Sequence, residues 1–156
     1  EELLLRIIDY KSSGTSLDLS EVYFGLALQM LTYLDVVISN ANVWLGREAT
    51  AAGMLYFHVH NPMLQTSAPG QAAIQQELFR KFKMKGLLLA DKDVVSLMDN
   101  DIETKKSDII PAALKKDGSF YKNSSVLSSD DFHALRSYTR KKIQSIGTEI
   151  SDGRIE

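Results

Sequence analysis

Apolar positions along the chain divide it into short continuous runs and longer helical stripes. Leu3-Leu4-Leu5-Arg6-Ile7-Ile8 is too short for a helix and predicts a buried β-strand that ends in Asp9-Tyr10-Lys11. A small-residue turn, Ser12-Ser13-Gly14, leads to Asp18-x-x-Glu21, a helix start of capping-box type. The helix is expected over 19–38, continuing through Asn42 to Leu45. Val22, Leu26, Met30, Leu34 and Val37 fit its spacing. Apolar residues occur nearly all round it, so it should be largely buried. Gly25, Gln29 and Tyr33 recur every fourth position and share one face. Within a helix Gly25 costs about 1 kcal/mol against alanine; it either admits the Asp9 strand or serves helix–sheet packing. Residues 52–60 read as a second core strand, stopped by Asn61-Pro62. Strand, helix, strand is a crossover unit, which places the 3–10 and 54–60 strands side by side in one sheet.

Beyond a turn at Ser67-Ala68-Pro69-Gly70, residues 71–83 predict an amphipathic helix with Ile74, Leu78 and Phe82 on one face, broken by Gly86. A shorter helix is expected over 92–98. Asp91, Asp93, Asp99 and Asp101 around it do not follow the spacing of a calcium loop and read as caps and solvent-facing carboxylates. Residues 109–122 read as a hairpin turning at Lys116-Asp117-Gly118-Ser119. Ser128 or Ser129 should cap a last helix, with Asp130 and Asp131 in its first turn and Phe132, Leu135, Ile143 and Ile146 buried. Asp152-Gly153 begins a further turn. These elements make residues 1–156 one α/β domain.

Composition changes this picture little. A chain of 156 residues with 44% hydrophobic and 24% charged residues can bury a core. The net charge of −2 argues against a free-standing DNA-binding protein with a broad basic surface, but not against a domain that receives DNA from a partner. Basic residues cluster at Arg80, Lys81, Lys83 and Lys85, and at Arg136 with Arg140-Lys141-Lys142; each cluster reads as a solvated helix face. There is no cysteine, which excludes disulfides and thiolate metal sites and suits a cytoplasmic setting. No apolar stretch is long enough for a membrane, and no phosphate-binding loop of the Walker kind occurs. The chain opens directly into a strand and reads as a piece of a longer protein.

Strand alternation sends Asp9 and Lys11 to one side and Tyr10 to the other. A carboxylate beside an ammonium at a strand's end can hold a hard divalent cation and position a water or a phosphate. Gln29 and Tyr33, polar groups on an otherwise apolar helix, need hydrogen-bond partners, and the open strand end is the natural place for them. His58 and His60 share a strand face and could ligate zinc, but no third ligand follows nearby. They are better read as hydrogen-bonded strand-end histidines, leaving a zinc hydrolase as the least supported reading.

Ile8-Asp9-Tyr10-Lys11 followed by Gln29-Met30-Leu31-Thr32-Tyr33 resembles the (D/E)xK and QxxxY motifs of the RecB-like branch of the PD-(D/E)xK nuclease superfamily. With residues 23–35, 52–60 and 83–89, the likeness narrows to the C-terminal nuclease domain of the B subunit in the AddAB (RexAB) family of bacterial helicase–nucleases. The resemblance implies a restriction-endonuclease-like core, a small mixed sheet with flanking helices, incomplete at both ends. It implies a Mg²⁺-dependent DNA exonuclease that works with a helicase–nuclease A subunit in double-strand break processing and recombinational repair. Asp9 would be a metal ligand, the Tyr10 carbonyl another, and Lys11 would position or activate the attacking water. Gln29 and Tyr33 would orient that lysine or the DNA backbone. The family's other acidic ligand and an upstream histidine fall before residue 1, and the cysteines of its iron–sulfur cluster are absent. On this reading the fragment is inactive alone. The competing expectation is a scaffolding or partner-docking domain in which Asp9 and Lys11 form only a structural ion pair.

Overall fold

In the computed structural model the described residues are 3–14, 17–25, 28–60 and 70–154. The order is β1 (Leu3–Lys11), α1 (Leu19–Phe24), α2 (Gln29–Leu45), β2 (Ala49–His58), α3 (Gln71–Phe82), β3 (Lys85–Leu89), α4 (Lys92–Ser96), β4 (Val126–Leu127) and α5 (Ser129–Ser151). The strands form one mixed sheet in the order β1-β2-β3-β4. β1 and β2 are parallel neighbours, as the crossover requires. β3 runs antiparallel to β2, and β4 parallel to β3. A register shift between Leu5 and Arg6 lets Asp9 pair with Tyr56 and Lys11 with His58 at the C-terminal ends of the two strands.

The two faces of the sheet are covered differently. Met30, Leu31 and Leu34 of α2 and Phe132 of α5 pack with Ala52, Met54 and Tyr56 of β2. Leu55 and Leu88 face the other way, against Val95, Ile102, Ile110 and Ala112. Core side chains therefore follow the period-two alternation of the strands.

Several expectations are corrected. The predicted long helix is two helices. Gly25 is not mid-helix but caps α1 at φ 83°, a left-handed conformation that glycine adopts without penalty. Nor does it face the Asp9 strand: a Cβ there would meet Lys142 Cε at 3.0 Å and Ile146 Cδ1 at 3.2 Å, both on α5. The Tyr138 hydroxyl, donating to the Tyr23 carbonyl at 2.7 Å, fixes the same docking. Gly86 does not end a helix but lies inside β3, where a Cβ would collide with the Met54 carbonyl; its absence lets β3 reach β2. Residues 109–122 make only a single bridge, Leu114 to Phe120, around the Gly118 turn. Ser128 is the cap of α5, accepting from the Asp131 amide at 3.1 Å. Phe132 is buried as expected, whereas Ile143 is exposed and Thr139 takes an inner position. Asp91 caps α4, but Asp99 is buried and accepts from the Asp101 amide at 3.1 Å rather than facing solvent. The turns expected at 61–62 and 67–69 lie outside the described residues.

The basic clusters are also less solvated than expected. Arg136 Nε donates to Asp35 Oδ1 at 3.0 Å, and Arg140 Nη2 reaches Oδ1 at 2.8 Å and Oδ2 at 2.9 Å. Both guanidiniums also bond Ser39 Oγ, at 3.2 and 2.9 Å. One carboxylate thus joins α2 to α5 through a forked, charge-assisted network. Lys83 Nζ donates to the Ser107 carbonyl at 2.7 Å.

Candidate active site

The site forms where the β1 end meets the first turns of α2. Lys11 Nζ lies 2.8 Å from Asp9 Oδ2. That buried oxygen accepts no directed hydrogen bond, so the contact is an ion pair with poor angular geometry. Lys11 Nζ also donates to Gln29 Oε1 at 3.2 Å, and Gln29 Nε2 donates to Tyr33 Oη at 2.9 Å. Asp9, Lys11, Gln29 and Tyr33 therefore form one continuous polar chain, as their alternation and helical spacing predict. Gln29 is exposed and Tyr33 half-exposed, so their helix face opens onto the strand end rather than entering the core.

Short-range contact with the Asp9 carboxylate holds the Lys11 pKa above the ordinary lysine value, against some desolvation. Lys11 is an ammonium at neutral pH. Tyr10 projects to the opposite face, its ring edge-on to Phe57 at 5.7 Å between centroids. Its carbonyl has a different outlook. Lys11 C=O accepts from Val59 N at 2.8 Å, toward β2. Successive strand carbonyls point in opposite directions, so Tyr10 C=O turns to the outer edge of β1, which no described strand covers.

Sequence reasoning missed Tyr56. It sits opposite Asp9 in the β1–β2 register and is buried. Burial pushes its phenol pKa up; Lys11 opposes this, and Asp9 and Glu21 reinforce it. The signal was the parallel pairing itself, which sets one β2 side chain beside Asp9. The histidines are not arranged as a metal centre. His58 Nε2 lies 3.3 Å from the Ser12 carbonyl and His60 Nδ1 3.3 Å from the His58 carbonyl, with the two rings stacked at 4.0 Å. Among the described residues no group of three or more His, Cys, Asp or Glu side chains could hold a metal ion. A hard cation fits the donor set at Asp9 in part: one carboxylate with an undirected buried oxygen, and one edge-facing carbonyl. An iron–sulfur cluster does not fit, since the chain has no cysteine.

A mixed sheet flanked by helices, with a DxK strand end hydrogen-bonded to a QxxxY helix, defines a nuclease fold and its candidate active site. Residues 1–156 match the PD-(D/E)XK nuclease superfamily, and the chain belongs to it. It is 57% identical over 154 residues to the B subunit of the ATP-dependent helicase/deoxyribonuclease of Bacillus licheniformis, covering 98% of this chain and 13% of that protein. The proteins of the same name from Bacillus velezensis and Bacillus subtilis are 55% and 54% identical over the same shares. The chain thus spans about 13% of the length of these relatives. No helix among the described residues is long and apolar enough to cross a membrane.

Proposed function

We propose that this chain is the nuclease domain of a cytoplasmic helicase–nuclease, a metal-dependent DNA exonuclease that works beside an A subunit in double-strand break processing and recombinational repair. The observation that carries this reading is the unbroken contact chain Asp9–Lys11–Gln29–Tyr33 at the sheet's open end. The superfamily and the relatives' names support it. Asp9 and the Tyr10 carbonyl would hold Mg²⁺, together with ligands beyond this set. A bound magnesium ion supplies charge relief at the phosphate and a water of lowered pKa.

The protein's own groups do the rest. Lys11, kept protonated by Asp9, donates to a phosphate oxygen or holds the attacking water in line; an ammonium is not a general base. Gln29 fixes the lysine's position through Oε1. Tyr33 fixes the amide's orientation by accepting from Nε2, so that the carbonyl oxygen, not the nitrogen, meets the ammonium. In the full-length protein, Asp9→Ala should abolish EDTA-sensitive cleavage of labelled DNA, a loss of at least about 100-fold for removing a metal ligand. Cleavage at the parental rate in that variant would leave Asp9 and Lys11 as a structural ion pair and this reading void.

A further inference from the structure

Tyr56 stands directly opposite Asp9 in the parallel β1–β2 register, and residues paired across neighbouring strands project to the same face of a sheet. That face is the one α2 covers. The Tyr56 ring packs with Met30, Leu31 and Leu34, on the turns that begin at Gln29, and is only 8% exposed. Its hydroxyl does not end inside that apolar layer. The charges that bear on it are those of Lys11, Asp9 and Glu21, so it emerges in the polar space between β1, α1 and the start of α2.

A buried tyrosine hydroxyl ordinarily has a hydrogen-bond partner, because removing its water without replacement is costly. This one bonds none of the described residues: Asp9 and Lys11 act on it through charge alone. Phenylalanine would fill the same space against α2 and leave no polar group to satisfy. The position thus sets an uncommitted donor beside the ammonium–carboxylate pair. Its neighbours indicate which ligand it suits. Lys11 Nζ is already engaged by Asp9 and Gln29, whereas a phosphodiester brings oxygens that can only accept. Burial keeps the proton on the phenol oxygen at neutral pH.

We propose that Tyr56 is a further catalytic residue of this site, its hydroxyl donating to a non-bridging oxygen of the scissile phosphate. The inference deepens the nuclease reading and rests on it. Tyr56 exchanges no proton with the substrate. In the transition state the non-bridging oxygens carry the charge, and a donor already fixed by the core stabilises it without reorganising. A neutral donor also adds no charge that would draw Asp9 away from a cation.

The test uses the complete helicase–nuclease and an oligothymidylate bearing one phosphorothioate of defined configuration. Tyr56→Phe should slow single-turnover, Mg²⁺-dependent cleavage of the all-oxygen strand about 10-fold or more. The Kd for that strand in EDTA, where no cleavage occurs, should change by no more than about 3-fold, since the bond gains its strength in the transition state. Sulfur is a poor acceptor. In one diastereomer it replaces the oxygen that Tyr56 addresses, and there parent and variant should cleave the linkage at the same rate. In the other diastereomer the gap should persist. A loss of equal size on both diastereomers would show the hydroxyl acting through the fold, and equal rates on the all-oxygen strand would show it idle. Either result overturns the proposal and leaves the nuclease reading standing. A parent that cleaves no strand with Mg²⁺ overturns both.

Discussion

Gln29 separates a structural from a catalytic role more cleanly than any other residue of the site. Its side chain is exposed and, among the described residues, bonds Lys11 and Tyr33, both at the surface, so truncation there strands no buried polar group. Gln29→Ala should therefore change the stability read from urea unfolding by no more than about 0.5 kcal/mol. In the full-length protein the same variant should slow DNA cleavage about 10-fold or more, because Lys11 loses its second anchor. Tyr33→Phe, which leaves the glutamine in place but frees its amide to rotate, should cost less. Equal losses of stability and activity would return both residues to packing. Tyr56 offers a pH-resolved test. Its pKa is higher folded than unfolded, so the associated stability is intact below about pH 10, the ordinary tyrosine value, and fades as pH rises through the folded value. Lys11 shifts in the same direction and Lys83 in the opposite one. Urea midpoints measured at pH 8 and pH 11 should fall more steeply in the parent than in Tyr56→Phe. At this scale the sequence was informative wherever a side chain's role depends on period alone. Asp9 and Lys11 by alternation, and Gln29 and Tyr33 by helical spacing, come together as expected. Tyr56 depends on strand register, which no local pattern displays.

Elements defined by long apolar runs were legible, and those defined by partners were not. β1 and β2 announce themselves, and so does their place in one sheet, since a helical crossover lies between them; that they run parallel is the structure's finding. β3 was hidden because its five residues include Gly86, a residue that weakens a strand unless another backbone must come close. β4 has two residues, too few for any periodicity. The break at Gly25 was missed for a similar reason: the apolar stripe runs on through it, while the docking of α1 on α5 is visible only in three dimensions. Helix α5 owes its place to a charge that sequence reasoning assigned to solvent. Arg136 and Arg140 converge on Asp35, whose side chain is only 15% exposed. Asp35→Asn should destabilise the chain by about 2 kcal/mol in urea unfolding, since it leaves a part-buried guanidinium facing a neutral amide. Lys141→Ala, a neighbour on an exposed position, should be silent.

For the molecule as a whole, the arrangement around Asp9 sets a limit. The described residues gather no group of three or more His, Cys, Asp or Glu side chains there, and magnesium calls for several oxygen ligands. Residues 1–156 purified alone should show no Mg²⁺-dependent DNA cleavage in an assay that detects the full-length protein. Robust, EDTA-sensitive activity that disappears with Asp9→Ala would mean that the metal site is complete within this chain. The outer side of β1, which no described strand covers, has a consequence in another domain of behaviour, that of solubility. Along its nine residues every second amide and carbonyl points away from β2, with only Arg6 and the terminal Asp9 and Lys11 carrying charge among leucines and isoleucines. Such a border is a template on which another extended chain can add itself. Two copies meeting there would bury the Tyr10 carbonyl between them, so self-association and metal binding compete for the same few atoms. Concentrating the separated domain and loading it with cation are therefore opposed operations.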